Sequence, residues 1–206
     1  MAVPDDVLDR LAPLSYEQVH PLVKSGDLLL CSGDDFFSRL IRWATHSRWS
    51  HIALAFRIDA IDRVMVLEAV EKIGVRAVTL ESFMSRNSQG KTPYPGSILL
   101  ARHAATDRLV DGDELKRMAG FGIDRLGDKF AGWDMIWIAV RIAIGRLNIR
   151  LPRARASDNV FICSEYVDVC YRSAGVKIAW DGRGFIAPAD FARDPAVEPV
   201  AHVRTR

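Results

Sequence analysis

A chain of 206 residues and 23.0 kDa, 49% of it hydrophobic, can bury a core of its own, so neither disulfides nor a structural metal is required to hold it. Its 28 basic and 26 acidic side chains leave a formal charge of +2, which excludes a protein-wide field that would gather nucleic acid, and no nucleic-acid partner is expected. Composition also excludes disorder and collagen-like repeats. Cys31, Cys163 and Cys170 are odd in number and include no Cys-x-x-Cys pair, which favours free thiols in a reducing compartment. The N-terminus lacks an apolar core of secretory type, and the longest apolar stretch, Trp133 to Gly145, is roughly 13 residues with Arg141 inside it, too short to span a bilayer. The expectation is one cytoplasmic domain over residues 1–206, with a helical segment at 103–157.

In chain order, short helical patches broken by Pro13 and Pro21 lead into the apolar run Asp27 to Cys31, which predicts a strand. Phe36, Phe37, Leu40, Ile41 and Ala44 at helical spacing predict a helix ending near His46. His51 to Ile58 and Val64 to Val70 are β-rich runs separated by a polar turn, which predicts a hairpin. A short extended piece at Gly74 to Leu80, a helical turn at Glu81 to Arg86 and a Pro/Gly-rich loop precede a strand at Ser97 to Arg102. Helices are predicted over Asp111 to Leu126, Trp133 to Ile144 and Asn159 to Ala174, then a loop at Gly182 to Pro188 and a last strand at Val197 to Val203. Strands first and helices later, without a βαβ rhythm, argue for an α+β fold with a small antiparallel sheet or partial barrel packed by helices.

The chain has no Gly-x-x-x-x-Gly-Lys loop, no Gly-x-Gly-x-x-Gly, no His-Glu-x-x-His and no Gly-x-Ser-x-Gly, so no cofactor and no metal is expected. Three polar residues stand out. Cys163, in FICSEYVDVC, lies where an apolar run meets a helix start, and there the macrodipole favours thiolate over thiol. A small buried hydrophobe is the competing assignment for it, as it is for Cys31 and Cys170. His51 opens the strand HIALAFRI and shares a face with Ala53 and Ala55, two small residues that leave room for a closely packed helix carrying the cysteine. Glu68 lies inside VMVLEAV, where burial without a partner is costly, and the His51 ring is a candidate partner if the two strands pair. His20, His46, His103 and His202 read as residues of polar, terminal or helix-end contexts.

With GDLLL at Gly26 to Leu30, the helix FFSRLIRWAT, SRWSHIALAF, LEAVEKIGV, FICSEYV and IAPADFA, the sequence resembles the circularly permuted papain-like families related to NlpC-type hydrolases, especially the YiiX-type group, and more remotely the lecithin retinol acyltransferase group. The resemblance spans roughly residues 25 to 192 in order, and permutation accounts for histidine preceding cysteine. It implies Cys163 as nucleophile, His51 as base and Glu68 as the residue that orients it. A Gly-x-x-Tyr pattern common upstream of the cysteine helix stands here as Gly127-Asp128-Lys129-Phe130; if a tyrosine hydroxyl there binds substrate or an oxyanion, Phe130 cannot, and activity would be altered or lost.

The expected activity is that of a thiol hydrolase (amidase or peptidase) or acyltransferase on an amide or ester, with a peptide, isopeptide or acyl lipid as substrate. The competing class is a catalytically silent lipid- or peptide-binding module of the same fold. Arg141, Arg146, Arg150, Arg153 and Arg155, after Trp133 and Trp137 and with no acid between Ile138 and Arg155, suggest weak contact with an anionic membrane surface; a solvated charged face is the alternative.

Overall fold

The computed structural model describes residues 2–71, 73–85, 94–109, 112–130, 160–180 and 186–205. Its centre is β2 (Asp27–Gly33), buried along its whole length. Among the described residues the strands that flank it are β1 (Pro13–Leu14), β3 (His51–Ile58), β4 (Arg63–Val70), β5 (Gly74–Thr79), β6 (Gly96–His103) and β9 (Val197–Val203). They form one sheet in the order β1-β9-β6-β2-β3-β4-β5, antiparallel at every step except the parallel β1–β9 edge pair. The fold is α+β with a mixed sheet of seven strands, wider than the small sheet expected from sequence.

Both faces of the sheet are covered, so the central strands read as continuous apolar runs rather than as one-sided alternation. On one face Leu28, Leu30, Ile52, Leu54, Leu67, Ala69 and Leu99 pack beneath α6 (Asp113–Ile123) and α7 (Cys163–Ser173). On the other, Leu29, Cys31, Ala53, Ala55, Val64 and Val66 pack with α2 (Tyr16–Val19) and α4 (Leu80–Ser85). The remaining helices are α1 (Val7–Arg10), α3 (Phe36–Thr45), α5 (Thr106–Leu109) and α8 (Pro188–Arg193).

Four expectations need correction. Ala53 and Ala55 lie in the core shared with Leu80, Phe83 and Met84 of α4, so the room beside them is filled from the opposite face to the cysteine helix. The helix expected to open at Asn159 begins at Cys163, because Ile162 is extended (φ −93°, ψ 161°) and Val160–Phe161 forms β8, a parallel partner of β7 (Lys129–Phe130). Pro188, expected to end a loop, starts α8, where the Ala187 N–H donates to the Asp190 carboxylate at 2.7 Å. His103, expected in a polar context, is buried, its Nδ1 accepting from the Ala105 N–H at 3.0 Å. The predicted Trp133 helix, the arginine run through Arg155 and the Phe130 side chain lie outside the described residues. No helix among the described residues is long and apolar enough to cross a membrane.

Candidate active site

The site forms where the sheet forks. β3 and β4 are paired from Ile58↔Arg63 to Leu54↔Leu67, and beyond that point β3 pairs only with β2 and β4 only with β5. The Gly26 N–H donates to Ala55 O at 2.8 Å, so the odd-numbered residues of β3 direct their backbone groups at β2 and the even-numbered ones at β4. Past the fork, the Ile52 N–H has no ladder partner on β4. It turns instead to the Cys163 sulfur, which also receives a hydrogen bond from the Ser164 N–H.

Cys163 is the first residue of α7, and the helix interior anchors it. Tyr166 donates its hydroxyl to Gly122 O at 2.9 Å, Tyr171 donates to Gly26 O at 2.6 Å and the Ser164 hydroxyl donates to Ile186 O at 2.7 Å. Val167 and Cys170 are fully buried against the sheet. No side chain caps the helix, so its first amides and the positive end of its dipole face the sulfur.

The His51 ring, at the start of β3, is in hydrogen-bonding contact with the Cys163 thiol, and its Nε2 lies 2.7 Å from Glu68 Oε2. Nδ1 is thereby the nitrogen left for sulfur. The His51 side chain is 18% exposed and that of Glu68 3%, so solvent reaches the ring before the carboxylate. All three sequence-predicted residues are brought together, from α7, β3 and β4.

Electrostatics couples the three. Burial works against the imidazolium, but the Cys163 charge and hydrogen bond, followed by those of Glu68, raise His51 to about 10. Burial likewise works against the thiolate, yet the His51 charge and hydrogen bond, with the Ile52 and Ser164 amides, hold Cys163 below its ordinary value. Glu68 is desolvated too, and His51 and Arg76 together keep it below the usual carboxylate range. These directions favour a thiolate–imidazolium pair backed by a carboxylate. Burial lifts Cys31 well above its ordinary range and pushes Cys170 up to about 12, so those two remain thiols.

Arg76 is the residue that sequence reasoning missed. It stands opposite Glu68 in the β4–β5 register and donates Nε and Nη2 to Glu68 Oε1 at 2.8 and 2.6 Å. The signal was available in the hairpin, since a turn closing on Gly74 pairs Val70 with Gly74 and therefore Glu68 with Arg76.

No family model and no curated protein matches the chain. Among solved structures it resembles one described as the metalloprotein yiiX from Escherichia coli O157:H7, DUF1105, at 17% identity and a TM-score of 0.59, over 88% of this chain and 98% of that one. At that identity the likeness concerns the backbone: the chain has a YiiX-like fold.

Proposed function

We propose that the chain is a cysteine hydrolase or acyltransferase of the papain-like, NlpC-related kind, acting on an amide or ester carbonyl. The observation that carries this reading is the convergence of Cys163, at a helix N-terminus, with a His51 ring whose far nitrogen is held by Glu68. The Cys163 thiolate attacks the carbonyl carbon, and the Cys163 N–H at the helix start donates to the developing oxyanion. The His51 imidazolium gives its proton to the departing nitrogen or oxygen, leaving a thioester on Cys163. His51, now neutral, takes a proton from water or from an acceptor alcohol or amine, which attacks the thioester, releases the acid or new ester or amide, and returns the thiolate–imidazolium pair. Glu68 keeps the ring turned so that one nitrogen always faces sulfur.

The yiiX protein is described as a metalloprotein. In this chain no group of three or more His, Cys, Asp or Glu among the described residues has metal-holding geometry, and both oxygens of Glu68 are engaged by His51 and Arg76. The residues do not fit a resident metal at this site.

Iodoacetamide competition tests the proposal. Cys163 should be alkylated at neutral pH well before Cys31 and Cys170, and peptide, ester and phospholipid substrates should be turned over by the wild-type chain but not by Cys163→Ala. Equal reactivity of the three thiols, or modification of Cys163 only after unfolding, would return it to the class of buried structural cysteines.

A further inference from the structure

The row of interacting groups does not end at Glu68. We propose that Arg76 is a positioning residue of this site, holding Glu68 as a carboxylate turned with one oxygen toward His51, and so acting on the Cys163–His51 pair without touching it. The inference rests on the functional reading above and extends it by one strand.

Three observations carry it. The register sets Arg76 directly opposite Glu68, the separation at which cross-strand side chains meet. The geometry is also asymmetric. An arginine facing a free carboxylate commonly forms two parallel bonds, one to each oxygen. Here both Nε and Nη2 converge on Oε1, and Oε2 is left to His51 at 2.7 Å. Finally, the strand that carries Arg76 is fixed at its outer edge: the Val75 N–H donates to Asp128 O at 2.8 Å and the Gly127 N–H donates to Val75 O at 2.9 Å.

Charge balance supplies the reason for such an arrangement. A buried site that holds a thiolate and a carboxylate against one imidazolium carries an unmatched negative charge, and burial makes that costly. Arg76, with its side chain 23% exposed, adds the second cation. Among the described residues, the other ionisable groups that sense Glu68 do not offer one. They are Cys31 on β2 and Tyr94 ahead of β6, which share a hydrogen bond and are both driven by burial, and further by the Glu68 charge, toward their neutral forms.

Titration of the 15N-labelled His51 ring in Arg76→Gln tests the role, because protonation of Glu68 appears as an acid inflection in the Nε2 shift. The expected result is an inflection at least one pH unit higher than in the wild type, a tenfold change in proton affinity, with the acid limb of Cys163 alkylation moving up alongside it. Arg76→Lys keeps the charge but loses the paired donors, so its inflection should fall between the two. It carries the test alone should Arg76→Gln not fold. An inflection and acid limb unchanged from the wild type, in a variant with native circular dichroism, would reduce Arg76 to a structural ion pair. A wild-type Cys163 that proved unreactive would instead sink the functional reading, while the His51 inflection would still report on Arg76.

Discussion

At the residue scale, the reactivity of Cys163 depends on one neighbour. Cys163 is 8% exposed, and burial alone would push its thiol upward as it does for Cys31 and Cys170. His51 reverses that direction through its charge and hydrogen bond. In His51→Ala the burial contribution is opposed only by two backbone amides, so the alkylation midpoint should rise past the ordinary thiol value of about 8.5, with a loss of more than tenfold in rate at neutral pH. Rates followed from pH 5 to 10 check this; a midpoint that does not move would show that the helix start, not the imidazole, sets the thiolate. In the wild type the rate should fall only below the lowered Cys163 value. It should rise again near pH 10, where His51 gives up the proton that pairs the thiolate. The three positions were legible in the sequence because each is a polar residue in or beside an apolar run. Arg76 reads as a solvated charge on residue type alone, and only the register set by the turn at Gly74 pairs it with Glu68.

At the element scale, the site depends on a fork that is not a local feature. The ladder between β3 and β4 stops after Leu54↔Leu67, so the placement of Glu68 is governed by β5 on its other side, and β5 is set by a turn. Gly74 closes that turn at φ +95°, and a Cβ there would sit 2.2 Å from Asp128 O. Gly74→Ala should therefore cost about 2–3 kcal/mol in urea unfolding and displace Arg76 and Glu68, slowing alkylation of Cys163. Gly127 is the control: its φ is +91° with nothing within 4 Å among the described residues, so Gly127→Ala meets backbone strain and should cost about 1 kcal/mol. Equal costs for the two would discount the contact with Asp128. The strands β2 to β6 were readable because each is an apolar run bounded by turn residues. The start of α7 was legible from the apolar run that ends at Cys163 but not from periodicity, which opens the helix at Asn159, because Ile162 precedes it without a Ser, Thr, Asp or Asn cap to mark the boundary. The strand β1 was not legible, being two residues whose partner lies at the far end of the chain.

At the scale of the whole molecule, a second buried ion pair ties the sheet to the segments around it. Asp27 of β2 is fully buried and takes Arg102 of β6 on both oxygens, Nε to Oδ1 at 2.8 Å and Nη2 to Oδ2 at 2.7 Å. The Lys24 N–H donates to the same carboxylate at 2.8 Å, and Arg102 also donates to Leu22 O at 2.8 Å, so one pair clasps the entering chain to two central strands. One residue earlier, Gly26 O accepts the Tyr171 hydroxyl, which fixes the helix that begins at Cys163. Burial already raises the Asp27 carboxyl against the pull of Arg102. Arg102→Met would leave that carboxylate buried and unpaired, and the expected cost at pH 7 is about 3–5 kcal/mol. The pH dependence has a definite sign. A carboxyl whose native value is raised binds its proton more readily folded than unfolded, so the variant loses stability as pH climbs above the ordinary aspartate value and regains it as pH falls. The deficit relative to wild type should therefore be smaller at pH 5 than at pH 7 in urea unfolding. Adding Asp27→Asn to Arg102→Met should recover much of it by removing the unpaired charge. A deficit below about 1 kcal/mol, or one equal at the two pH values, would mean that water reaches Asp27 and that the clasp lies elsewhere.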